Sequence, residues 1–190
     1  MNKRHVLAAI FAAGIMSPFA IPADAANPET PVAPEVSPPG DIPDNQAFIV
    51  FKSPAGFSIK VPEGWARKDS ANKTVYNDKY NHLSLTVSVV GKPVDMAYAK
   101  ATLVPELEKT SRAVKVTKIS EAKLKAGTAI KVAFDSNSEP NSVTNKQVRE
   151  ENESFYFAKG GKLVALQLSA PKGADNVDQW KLISSSFRWN

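Results

Sequence analysis

From Phe48 onward the chain alternates apolar and polar residues, which predicts a run of strands interrupted twice by the longer period of a helix. Phe48 to Lys52 is a short apolar strand, followed by a turn at Ser53-Pro54-Ala55-Gly56. Phe57, Ile59 and Val61 then alternate with Ser58 and Lys60, a half-buried strand ended by Pro62. Glu63-Gly64 turns the chain and delivers Trp65 to the edge of the core, and Thr74 to Asn77 is a brief strand. In His82 to Val90, Leu83, Leu85, Val87 and Val89 face inward while Ser84, Thr86 and Ser88 face outward. Val114 to Leu124 and Ala129 to Phe134 form a hairpin turning at Gly127, and Asp135 to Gln147 is a polar loop. Ser154 to Lys159 and Lys162 to Ala170 flank Gly160-Gly161, a two-residue turn that needs left-handed backbone.

Lys162 to Ala170 organises the rest. Val164, Leu166 and Leu168 point one way, Leu163 and Ala165 the other, so this strand is covered on both faces and lies inside a sheet. Two segments carry helical spacing. Lys92 to Lys109 places Met96, Ala99, Leu103 and Leu107 on one stripe, and Pro105 within it must kink or divide the helix. After Pro171, Asp175 is a candidate N-cap and Asp178 adds negative charge to the first turn. Val177, Trp180, Ile183 and Phe187 form the apolar face of this second helix. Hairpins dominate the order of elements, which predicts an α+β fold: a mostly antiparallel sheet covered by helices.

The first 45 residues differ in kind. Lys3, Arg4 and His5 precede an apolar run of 11 residues, Val6 to Met16, and Ala23-Asp24-Ala25 offers the small residues a signal peptidase reads. The run falls short of the ~20 residues a membrane-spanning helix needs. Residues 1–25 are therefore a signal peptide, cleaved near Ala25, and the mature protein is periplasmic or secreted. Ala26 to Asn45 holds six of the 14 prolines and four acids with no base. It is a proline-rich acidic linker without a core of its own. Residues 46–190 make one domain, with no internal repeat.

Composition narrows the chemistry. The chain has no cysteine, which removes disulfides, thiolate nucleophiles, cysteine-bound metals and a lipid anchor on an N-terminal cysteine. From Gln46 on there are 22 Lys plus Arg against 14 Asp plus Glu, a charge of +8. Such a domain suits an acidic envelope protein or an anionic membrane surface, although dispersed lysines also simply keep a protein soluble. An exported chain without a basic-aromatic motif argues against nucleic acid.

The candidates for catalysis are thin. His82 is the single histidine beyond the leader, no Gly-x-Ser-x-Gly elbow accompanies it, and its position among serines and threonine is that of a surface histidine. Glu150, Glu151 and Glu153 form the only acidic cluster of the domain; alternation puts Glu151 and Glu153 on one face, short of the six or so oxygens that calcium requires. Lys159-Gly160-Gly161-Lys162 has the composition of a phosphate loop but no helix follows it, and the hairpin accounts for both glycines. Trp180 belongs to a helix stripe, so the tryptophans are core before they are a ligand wall. No catalytic residue, metal site or cofactor is expected.

Phe57-Ser-Ile-Lys-Val-Pro-Glu-Gly-Trp65, the Thr74 to Asp78 strand, the Leu83 to Val90 strand before a helix and the ending Ala165 to Trp189 resemble the PsbP-like superfamily, which includes photosystem II extrinsic proteins and bacterial envelope proteins of the DcrB type. The resemblance spans roughly Phe48 to Trp189 and rests on structural motifs, Gly-Phe-x-x-x-x-Pro-x-x-Trp near its start and Ser/Thr-x-Phe near its end. It implies an antiparallel sheet sandwiched by helices (an α/β/α sandwich) in proteins that act mostly by binding and assembly. It brings no catalytic residues. DcrB-type proteins carry a lipid on a cysteine after the signal, and this chain has none.

The resulting expectation is an exported, non-catalytic envelope protein that serves as a binding or assembly module for a protein or membrane partner. Lys131, Lys146 and Arg149, with the Asp135 to Gln147 loop, are the expected contact region, because polar loops on rigid scaffolds often carry function. The alternative is a carrier for a small apolar or lipid-like ligand held between helix and sheet. Partner identity and oligomeric state have no signature in the sequence.

Overall fold

The computed structural model describes residues 29–190. The expected signal peptide and the start of the linker lie outside the described residues. Ten strands form two antiparallel sheets. The large one runs in the order β3 (Ala66–Asp69), β4 (Lys73–Asn77), β5 (His82–Val89), β9 (Lys162–Pro171), β8 (Arg149–Lys159), β7 (Gly127–Asn137) and β6 (Arg112–Leu124). The small one runs β1 (Phe48–Ser53), β2 (Phe57–Pro62) and β10 (Arg188–Trp189). Strand β9 is the fourth of seven, as its two apolar faces require: Val164, Leu166 and Leu168 are buried in one cluster and Leu163 in the other.

Each face of the large sheet has its own cover. On one side lies a composite helix: α1 (Met96–Tyr98), a π-helical stretch Ala99–Leu103, and α2 (Val104–Thr110). Asp95 caps its start, its carboxylate accepting the Tyr98 amide at 2.8 Å. The π-helical stretch ends just before Pro105: the Val104 amide donates to the Ala99 carbonyl five residues back, and this shifted ladder admits a proline that lacks an N–H at the start of α2. Ala99, Leu103 and Leu107 pack with Ile130, Val132 and Phe134. On the other side the small sheet and α3 (Val177–Ser185) bury Phe57, Ile59, Trp180, Ile183 and Phe187 against Phe155, Phe157 and Leu166. Phe187 is stacked between Phe157 (centroids 3.9 Å apart) and Phe57 (5.3 Å). Gly160 and Gly161 have φ of 56° and 75°, the left-handed turn their pairing predicts.

Several expectations need correction. Val89 is 91% exposed, because the end of β5 outruns its cover; Val90 turns into the core instead. Val177 is 73% exposed in the first turn of α3, and the buried face begins at Trp180. The N-cap is Asn176, not Asp175, and its side chain caps nothing because it is engaged elsewhere. Strand β7 continues to Asn137 and buries Asp135, Ser136 and Asn137, so the connecting loop is residues 138–148. Strand β3, all of whose residues are exposed, has no apolar alternation to reveal it.

The acidic, proline-rich segment is not a free spacer. From Glu29 on, it runs along the domain as a strap. Ile42 is 3% exposed and belongs to the core cluster of the small sheet. Its amide donates to Asn176 Oδ1 at 2.6 Å, while Asn176 Nδ2 donates to the Gly40 carbonyl and to Asn81 Oδ1. One isolated isoleucine and a set of asparagines do what proline-rich composition alone does not.

Candidate functional site

The composite helix covers only part of its face of the sheet. Past Thr110 the alternate side chains of β5, β9, β8 and β7 on that face become polar, with Lys73 and the apolar Val75 of β4 beside them. The register sets them in rows: Ser84 opposite Gln167, opposite Ser154; His82 opposite Ser169, opposite Asn152; Glu150 opposite Ser136. Rows two residues apart share a face, so these groups form one polar floor. Above it is an open cleft of about 500 Å³, with Lys73 on one wall and Thr110, Arg112 and Glu139 on the other.

The floor is partly self-satisfied. Gln167 Nε2 donates to Asn152 Oδ1 at 3.1 Å, and Asn152 Nδ2 donates to Ser136 Oγ at 2.9 Å. Ser169, 5% exposed, has no hydrogen-bond partner for its hydroxyl. Burial pushes the Glu150 carboxyl up from 4.5 to about 7, and the nearby charge of Glu139 pushes the same way. The hydroxyls of Ser169 and Ser136 lie near enough to oppose that shift, though neither makes a well-formed bond to Glu150. A carboxyl near its midpoint at neutral pH can both donate and accept.

His82 stands on the rim, exposed at one edge, with Nδ1 2.6 Å from Asn77 Oδ1. Crowding by the sheet lowers its pKa, against a pull upward from Asp78. The Ser169 hydroxyl opposite it is unpartnered, so the two do not form a nucleophile–base pair. Among the described residues no group of three or more His, Asp or Glu is placed to hold a metal ion. What the cleft offers is a dense field of hydrogen-bond donors and acceptors with cations at its edge.

The strap ends beside this cleft. Asn137, buried on the cleft wall, accepts from the Val32 amide (3.1 Å) and from Arg149 (2.9 Å) through Oδ1. Its Nδ2 donates to Glu29 Oε1 and to the Thr30 carbonyl, each at 3.0 Å. Glu29 also pairs with Arg112 at 2.9 Å, and these contacts, Asn137 first, hold its carboxyl below the ordinary range.

The structure does not bring together the three cations expected as a contact region. Arg149 is 4% exposed, its guanidinium donating to the Ala113 carbonyl and to Asn137; burial among strand ends makes it a structural bond, not a docking residue. Lys131 lies on the opposite face of the sheet from the cleft, ion-paired with Glu153 and over the Phe155 ring. Lys146 is exposed in the 138–148 loop, whose Ser138 and Glu139 line the cleft. Glu151 and Glu153 share a face as alternation predicts, and Glu150 faces the cleft instead. The polar floor itself escaped the sequence reading, since alternating Ser, Asn and Gln look the same whether a strand faces solvent or lines a recess. One amide on each of two neighbouring strands, Asn152 and Gln167, was the available signal.

No protein-family model and no curated protein matches the chain. Solved structures do. The cyanobacterial PsbP of Synechocystis matches over 80% of this chain and 98% of its own, with 14% identity and a TM-score of 0.51. The Ran-binding protein Mog1p of Saccharomyces cerevisiae matches over 76% and 96%, with 10% identity and a TM-score of 0.50. A Bacteroides thetaiotaomicron protein is covered over 48% of its length, against 74% of this chain, with 14% identity and a TM-score of 0.47. At such identities the likeness speaks for the fold. The chain has the PsbP-like fold, the one its own motifs resemble.

Proposed function

We propose that this protein is an exported, non-catalytic binding module of the cell envelope that takes an extended polar segment of a protein partner into the cleft beside α2. The observation that carries the reading is the floor. Buried polar groups without partners are costly, and Ser169 and Glu150 leave donor and acceptor capacity unused inside a recess. Side-chain amides such as Gln167 and Asn152 match the donor–acceptor pattern of peptide groups. The signal-peptide features of residues 1–25 support export, and a protein of the same fold is named for binding Ran. Lys146 and the 138–148 loop, at the rim, supply secondary contacts.

The alternative of an apolar carrier finds less support, because the helix–sheet interface is filled by Leu103, Leu107, Val132 and Phe134, and the open space beside it is polar. The test is Ser84→Trp, which fills the cleft from its floor. Crosslinking of wild-type and variant protein in the native envelope should give one specific protein adduct with wild type and none with the variant, at equal thermal stability. Equal capture by both would remove the cleft from the mechanism.

A further inference from the structure

A second, smaller groove lies where the β6–β7 turn meets β2 and the chain end. It has a volume of about 340 Å³ and is lined by Lys60, Lys123, Lys125 and Arg188, with Leu124, Leu182, Ser185 and Ser186. Three separate parts of the chain converge to supply four cations, and no carboxylate lines the groove. Among the described residues every ion pair lies elsewhere: Arg67–Asp69, Arg112–Glu29, Arg112–Glu139, Lys131–Glu153 and Lys172–Asp135. Glu121, two residues from Lys123 along β6, is not part of the lining.

Arg188 is held rather than loose. Its Nη1 donates to the carbonyls of Ser185 and Phe187, which fixes the guanidinium and leaves its other N–H groups uncommitted. Like charges gathered in one recess repel, and a bound anion relieves that repulsion. Beside the cations is an apolar element: Leu182, on the outer side of α3, is 37% exposed. Cations around a recess with an exposed leucine at its margin match a phosphate group attached to an apolar body.

We propose that this groove docks the protein on an anionic membrane surface, with Lys60, Lys123, Lys125 and Arg188 receiving lipid phosphate and Leu182 dipping beneath it. The groove shares no lining residue with the polar cleft, so a membrane-docked protein keeps the cleft open to a partner.

The test is co-sedimentation of the chain from Ala26, which retains every core residue described here, with vesicles of phosphatidylglycerol and phosphatidylcholine in equal parts or of phosphatidylcholine alone. Each base near an anionic surface is worth a factor of about five. Lys123→Gln/Lys125→Gln should therefore weaken binding to the anionic vesicles about 25-fold, while Lys100→Gln/Lys109→Gln on the composite helix should change it less than about threefold. All four lysines are exposed, so both variants should fold, and circular dichroism checks this. Binding should also fall as salt rises. Equal losses in the two variants, equal binding to the uncharged vesicles, or no vesicle binding would each overturn the proposal. Inorganic phosphate titrated alone is the remaining arm: amide shifts at Lys123, Lys125 and Arg188 without vesicle binding would assign the groove to a soluble phosphate compound and overturn membrane docking.

Discussion

Replacing Glu150 by Gln should flatten the pH dependence of stability. Burial in the cleft floor raises this carboxyl from 4.5 to about 7, so the folded protein holds the proton more tightly than the unfolded chain does. Between those values the unfolded state releases its proton first, and stability must fall as pH rises. The penalty is absent below about pH 4.5 and complete above about pH 8. At about 1.4 kcal/mol per tenfold change in proton affinity, the shift amounts to roughly 2–3 kcal/mol, allowing for the site's partial contact with water. Urea unfolding followed by tryptophan fluorescence, from about pH 4.5 to 8.5, reads this directly. Glu151, also raised by burial, and His82, lowered by it, titrate in both proteins and cancel from the comparison. Wild type minus variant should decline by roughly 2–3 kcal/mol across the window. Parallel curves would mean that Glu150 ionises like a surface carboxylate, and the picture of a buried, proton-holding floor would fail with it.

Other perturbations test the packing around the site. Ile42→Ala should cost about 2–4 kcal/mol in denaturant unfolding, as a core residue would, whereas a spacer residue would cost nothing measurable. Asn176→Ala leaves the Ile42 amide without its buried acceptor, so about 1–3 kcal/mol of stability should be lost and exchange of that amide should accelerate. Ser169→Ala should change thermal stability by less than about 1 kcal/mol, because its buried hydroxyl makes no well-formed hydrogen bond and lies only near the Glu150 carboxyl. A large destabilisation there would reveal a bond the structure does not contain. Phe187→Ala should cost about 3–5 kcal/mol by urea unfolding, through loss of the stack between Phe57 and Phe157.

What the residue pattern made legible was whatever depends on one segment's own periodicity. Lys162 to Ala170 announced a doubly covered strand because both of its faces are apolar, and it sits in the centre of the sheet. Pro105 announced a break, and the helix accommodates it after a π-helical stretch. Gly160-Gly161 announced its turn. What stayed hidden depends on partners distant in the chain. The strap looked like a spacer because one isoleucine among prolines has no period, and its docking relies on Asn137 and Asn176, more than a hundred residues away. Arg149 looked like a surface cation because nothing nearby in sequence shows that Asn137 and the Ala113 carbonyl will surround it. The cleft stayed hidden for a related reason: the end of α2, not the strands, determines where the polar face becomes a recess.

The cleft's role is tested most directly by placing a photoreactive amino acid at Lys73, on the cleft wall, and a second at the exposed Val89 as a control. After illumination in the native envelope, the Lys73 position should yield a single protein adduct that disappears when Ser84→Trp is added, and the Val89 position should yield none. An adduct from Val89 alone, or one from Lys73 that survives the filled cleft, would contradict binding through this site.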